Sequence, residues 1–79
     1  MKIDGKLIAK ELKSLRIKNG YTIEDICNKI GLNTTTAYKY ERNADNMQLQ
    51  ILEKYLDFYN ISNYIFFKMI SEYNHIGDE

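Results

Sequence analysis

The sequence predicts an all-α fold, and three observations carry that prediction. Apolar residues recur at spacings of three and four, β-branched residues rarely alternate with polar ones, and the 79 residues contain no proline. A chain of this length supports one small core, since single domains are commonest at roughly 100–150 residues. The expected organisation is one domain over 1–79, with helices at about 5–18, 23–30, 34–41, 47–59 and 63–73 and a polar tail at 75–79.

The first helix takes Asp4 as its N-cap and sets Ile8, Leu12 and Leu15 on one face. It ends at Asn19-Gly20, where glycine can adopt the left-handed conformation of a helix C-terminus. Thr22 caps the second helix, whose first turn places Glu24 and Asp25 at the positive end of the helix dipole. Its buried stripe is Ile23, Ile26, Cys27 and Ile30. Gly31-Leu32-Asn33 makes a three-residue turn in which glycine supplies the reversal and Asn33 caps the third helix. The fourth helix starts near Asn46 or Met47 and runs to Tyr59, with Leu49, Leu52, Tyr55, Leu56 and Tyr59 on its apolar face. Asn60-Ile61-Ser62 interrupts the chain, and Ser62 caps a fifth helix to about Tyr73 whose inward stripe is Ile65, Phe66, Met69, Ile70 and Tyr73. His75 to Glu79 reads as a frayed, solvated tail.

A composition of 44% hydrophobic and 28% charged residues fits neither a disordered nor a membrane chain. The longest apolar run, Tyr64 to Phe67, is far short of the roughly 18 residues of a membrane span. Lys2, Asp4, Lys6, Lys10 and Glu11 interrupt any signal peptide, so a cytoplasmic location is expected. Cys27 is the single cysteine and His75 the single histidine, which leaves no internal disulfide and no zinc spacing; no cofactor or metal is expected. Glu24 and Asp25 are adjacent and so about 100° apart on a helix, too divergent to converge on one substrate atom. With no Ser/His/Asp set and no phosphate-cradling glycine loop, neither an enzyme nor a small-molecule substrate is expected.

Zero net charge conceals an asymmetry. Residues 1–42 hold nine Lys/Arg against five Asp/Glu, a net +4, whereas residues 43–79 hold two against six, a net −4. A basic half can present a cationic face to a polyanion; the alternative is ordinary solvated helix surface. The run Thr34-Thr35-Thr36 is the second anomaly, because β-branched threonine is a mediocre helix former. At the start of a short exposed helix, those hydroxyls with Tyr38 and Lys39 one turn on offer the donors, acceptors and methyl groups that read base edges in a major groove. A merely solvent-facing helix is again the alternative.

Taken together, Leu12-Lys13-Ser14-Leu15-Arg16, Gly20-Tyr21-Thr22, Ile26-Cys27, Ile30-Gly31-Leu32 and Ala37-Tyr38-Lys39-Tyr40-Glu41-Arg42 resemble the Cro/repressor-type, or XRE-like, helix-turn-helix family over about residues 7–66. That resemblance implies a five-helix, lambda-repressor-like fold. It gives Cys27 the place of the usual small residue where two helices cross, Gly31 the turn glycine, and Ile26, Ile30, Leu32 and Ala37 the flanking apolar positions. It also implies an ion pair between Arg16 and Glu41, base reading by Thr34, Thr35 and Lys39 with Tyr38 on the groove wall, and phosphate contacts from Lys18, Thr22, Arg42 and Asn43. The chain departs from the family pattern at Ile23, where a phosphate-binding glutamine is common, and at Asn43, where a glycine is usual and a left-handed turn is expected to persist.

The function implied is a sequence-specific double-stranded-DNA-binding transcriptional regulator, repressor-like, suited to a phage or mobile element. A homodimer on a palindromic operator is expected, with Tyr64 and Phe67 forming a leftover apolar face on the fifth helix. The alternative from another class is a protein-interaction module of the same fold, an antirepressor or antitoxin-like partner that uses the acidic, aromatic C-terminal half.

Overall fold

Side-chain oxygens open four of the five helices. The computed structural model describes residues 4–77, with side chains described through residue 72. In α1 (Gly5–Lys18) the Asp4 carboxylate accepts the Lys6 N–H at 2.8 Å, and the helix closes into Gly20 at φ +77°. In α2 (Ile23–Ile30) Thr22 and Asp25 cap reciprocally, each side chain accepting the other's backbone N–H, and Gly31 ends the helix at φ 86°. Asn33 caps α3 (Thr34–Tyr40) through a 2.8 Å bond from the Thr36 N–H. Ser62 does the same for α5 (Asn63–Gly77), accepting from the Ile65 N–H at 3.2 Å. These bonds satisfy N–H groups that a helix start leaves orphaned, and each such cap is worth about 1 kcal/mol.

α4 (Leu49–Tyr59) has no side-chain cap and starts two residues later than Met47. The Met47 N–H donates to the Ala44 carbonyl, so residues 44–47 form a turn rather than a first helical turn. Asn60 ends α4 in the left-handed conformation, at φ 56°.

Burial divides into two clusters. The main core joins Leu12 and Leu15 of α1, Ile26 and Ile30 of α2, Leu52, Tyr55 and Leu56 of α4, and Phe66 and Ile70 of α5. A smaller cluster, Ile23, Cys27 and Ala37, seals α2 against α3, and Leu32 in the turn packs on both. Ala37 is 0% exposed, so a larger side chain there would push the helices apart. Burial also pushes the Cys27 thiol above its ordinary range, with Glu24 and Glu41 adding to the effect. Cys27 is therefore a small core residue held in its inert thiol form.

Four expectations need correction. Leu49 is 67% exposed: it is the first residue of α4, and at about 100° per residue it lies well round the helix from the buried set Leu52, Tyr55 and Leu56. On α5 the buried arc is centred on Phe66 and Ile70, with Phe67 and Met69 at its two edges. Phe67 therefore packs on the core, its ring edge-on to Phe66 at 5.6 Å, while Ile65 joins Tyr64 outside. Asn43 does not take the left-handed turn; among the described residues that conformation falls to Asn60 alone of the non-glycines. Finally, α5 continues to Gly77, so the tail expected from residue 75 is helical as far as 77. No strong breaker precedes that glycine. The side chains of Tyr73 and His75, and residues 78–79, lie outside the described residues.

Candidate nucleic-acid interface

Thr34, Thr35, Tyr38 and Lys39 project from one side of α3, and all are exposed, Tyr38 by 54%. Among the described residues no hydrogen bond engages their side chains. Ala37 faces the opposite way into the small cluster. The helix thus divides along its length into a wall that grips α2 and a face whose polar groups are open to a ligand.

The far end of α3 is fastened to α1. Arg16 Nε donates to Glu41 Oε2 at 2.7 Å and its second terminal nitrogen to Oε1 at 3.1 Å, a two-pronged pair, while its other terminal nitrogen donates to the Tyr21 carbonyl at 2.9 Å. One guanidinium therefore joins the end of α1, the α1–α2 loop and the C-cap of α3. Donating to the Glu41 carboxylate raises the Arg16 pKa above its ordinary value, against desolvation. The hydroxyls of Tyr55 and Tyr59 are buried within electrostatic reach of Glu41. Burial, with Glu41 nearby, pushes Tyr59 up to about 12 and Tyr55 higher still, so both stay protonated. Tyr21 closes the site's edge, its ring 4.9 Å from Phe58 and 6.3 Å from Tyr59.

The cationic and polar residues expected at phosphates fall around this face unequally. Lys18 ends α1 and Arg42 follows the C-cap of α3, and both are exposed. Thr22 is exposed, but its N–H donates to the Asp25 carboxylate at 2.9 Å and its hydroxyl oxygen accepts from the Asp25 N–H at 3.1 Å, so both groups are already engaged with Asp25. The backbone N–H of Thr22 first, and then its hydroxyl, hold the Asp25 carboxyl below its ordinary range. The start of α2 therefore already carries an anion. Asn43 is half-buried, and its Oδ1 accepts the Asp45 N–H at 2.7 Å, leaving its amide as the free donor. Ile23 is 3% exposed and belongs to the small cluster, so this departure from the family pattern adds to the packing of α2 on α3. Two residues went unnoticed in the sequence: Gly5 and Asp45, which meet across 40 positions with the Gly5 N–H donating to Asp45 Oδ1 at 3.1 Å. Only a non-local contact gives them meaning.

A small helix sealed by a turn glycine against a second helix, with the second helix's polar face open and its end pinned by an arginine, defines a helix-turn-helix protein. The family model described as helix-turn-helix matches residues 12–62, and the chain belongs to that family of DNA-binding transcriptional regulators. Among solved structures it is similar to the restriction-modification controller protein C.Esp1396I. A tyrosine-to-alanine variant of that protein superposes with a TM-score of 0.80 at 27% identity, covering 90% of this chain and 92% of that one. The wild-type controller gives 0.78 at 28% identity over 86% and 88%. A tyrosine-to-phenylalanine variant bound to its highest-affinity operator site gives 0.74 at 28% identity over 85% and 88%. A comparison with curated protein sequences finds no match.

Proposed function

We propose that this chain is a sequence-specific regulator that inserts α3 into the major groove of double-stranded DNA, in the manner of a repressor or restriction-modification controller. The observation that carries the reading is the division of α3: Ala37 buried against α2, and Thr34, Thr35, Tyr38 and Lys39 exposed together with unengaged side chains. In this reading Thr34, Thr35 and Lys39 meet base edges and Tyr38 lies along the groove wall, while Lys18, Thr22, Arg42 and Asn43 hold the phosphates on either side. The operator-bound state of C.Esp1396I supports the same partner for this chain.

The protein acts as a homodimer on a palindromic operator, in the cytoplasm, within a phage or other mobile element. The exposed tip of α5 supplies the dimer surface: Tyr64 at 72% and Ile65 at 47% exposure, with Phe67 at the edge against the core. Among the described residues no helix is long and apolar enough to cross a membrane.

A gel shift on mixed-sequence duplex DNA across a salt series tests the reading. Phosphate-driven retention that falls steeply with salt is expected, followed by enrichment of a two-fold-symmetric sequence from a random pool. No retention at low salt overturns the DNA role and favours the protein-interaction module.

A further inference from the structure

Asp45 is an acidic residue in the segment that carries two of the proposed phosphate contacts, where a negative charge opposes DNA. Its surroundings explain its presence. Gly5 is the first residue of α1, and its N–H is one of the groups a helix start leaves without an intrahelical partner. Asp45 Oδ1 accepts that N–H at 3.1 Å, while Asp4 takes the next one, from Lys6. The Ala44 N–H in turn donates to the Gly5 carbonyl at 3.0 Å. Two bonds of opposite polarity therefore clamp residues 44–45 onto the first residue of α1. The Asp45 carboxylate sits at the positive end of that helix's dipole, where its charge is favourable.

The clamp is sterically tight. A methyl group built on Gly5 would lie 2.5 Å from the amide nitrogen and 2.8 Å from the Cα of Asp45, so no other residue fits without moving the loop. The same Asp45 donates its own N–H to Asn43 Oδ1 at 2.7 Å, a local turn that fixes the Asn43 side chain. Arg42 and Asn43 thus lie between two anchors on α1: Glu41 on Arg16 at one end, and Ala44-Asp45 on Gly5 at the other.

We infer that Asp45 is a positioning residue for DNA binding: by joining Gly5 to Asn43 it holds the segment after the recognition helix so that Arg42 and the Asn43 amide meet the phosphate backbone. The inference rests on the DNA reading above. It predicts the opposite sign from simple electrostatics. Removing an acidic charge beside a polyanion strengthens binding, whereas releasing the clamp weakens it.

The test measures affinity for mixed-sequence duplex DNA over a salt series, with circular dichroism melting of each protein. Asp45→Ala is expected to bind about three- to tenfold more weakly at low salt and to lose about 0.9 from the log–log salt slope, the equivalent of one phosphate contact. Asp45→Asn keeps the oxygen acceptor without the charge and is expected to bind at least as tightly as wild type. Gly5→Ala changes no charge and lies outside the proposed contact residues. It is expected to weaken binding with the same loss of slope, and it decides the matter if Asp45→Ala fails to fold. Wild-type or tighter binding by folded Asp45→Ala, or a wild-type slope in folded Gly5→Ala, overturns the inference. A wild-type protein that does not bind duplex DNA overturns the DNA reading itself, and the inference with it.

Discussion

α3 and α5 each expose a tyrosine, Tyr38 and Tyr64, but the two helices are held in different ways. α5 is anchored by Phe66 and Ile70, both fully buried in the main core. α3 contributes one fully buried residue, Ala37, and is otherwise fixed by directional polar contacts: the Asn33 cap at its start and the Arg16–Glu41 pair at its end. Hydrophobic burial is non-directional and scales with area, so it can fasten a helix without setting its rotation finely. Hydrogen bonds with two prongs fix an angle. A helix that must present particular side chains to a partner gains from the second kind of anchor, and a helix that completes a core from the first.

The largest expected effect lies on α5. Phe66→Ala removes a fully buried aromatic ring and should cost about 3–5 kcal/mol, enough to unfold much of a domain this small. Urea unfolding measures it. A cost near 1 kcal/mol would mean that α5 is dispensable to the core, and the contrast with α3 would collapse.

Next comes the pair at the end of α3. The side chains of Arg16 and Glu41 are 15% and 6% exposed, so removing one strands a poorly solvated charge. Glu41→Ala should cost about 2–3 kcal/mol, and a double-mutant cycle with Arg16→Ala should return a coupling of at least about 1 kcal/mol. Additive losses in that cycle would show that the two groups do not orient α3 together.

On the open face of α3 the effects move from stability to specificity. Thr35→Ala should leave stability within about 0.5 kcal/mol and relax discrimination at one or two base pairs by about 1–3 kcal/mol. Arg42→Ala should weaken all sequences alike and flatten the salt slope by about one. Competition binding to a selected operator and its single-base variants separates the two; an unchanged preference after Thr35→Ala would remove that residue from the reading set.

An equally small stability effect is expected at the tip of α5. Tyr64→Lys should alter monomer stability by no more than about 0.5 kcal/mol, because the ring is 72% exposed, yet shift the protein towards monomer in sedimentation equilibrium at micromolar concentration. A dimer that persists in this variant would move the interface elsewhere.

The sequence by itself determined the existence and order of the five helices and the caps that open four of them. Asp4, Thr22, Asn33 and Ser62 cap by bonds reaching no more than three residues along the chain, and Gly20 and Gly31 take positive φ because only glycine does so without steric cost. The buried stripe of α2 and the turn at Gly31 were legible in the same way, whereas the close crossing of α2 and α3 at Cys27 and Ala37 came from the family resemblance. The resemblance to a helix-turn-helix family also supplied Glu41 as the partner of Arg16 and the roles along α3, which periodicity alone does not contain; the bond from Arg16 to the Tyr21 carbonyl came only from the structure.

Tertiary structure decided what depends on residues far apart in the chain. Periodicity marks an apolar stripe but not how far the neighbouring helices extend over it, so Leu49 and Ile65 were expected inside and Phe67 outside, each the reverse of what packing produces. Asn43 was expected to supply a left-handed turn from its residue type, but the clamp between Gly5 and residues 44–45 fixes the loop, and Asn43 serves through its side chain instead. Local hydrogen bonds and backbone sterics act over three or four residues and are written in the sequence; burial and long-range clamps depend on which surfaces meet, and that is settled only when the helices pack.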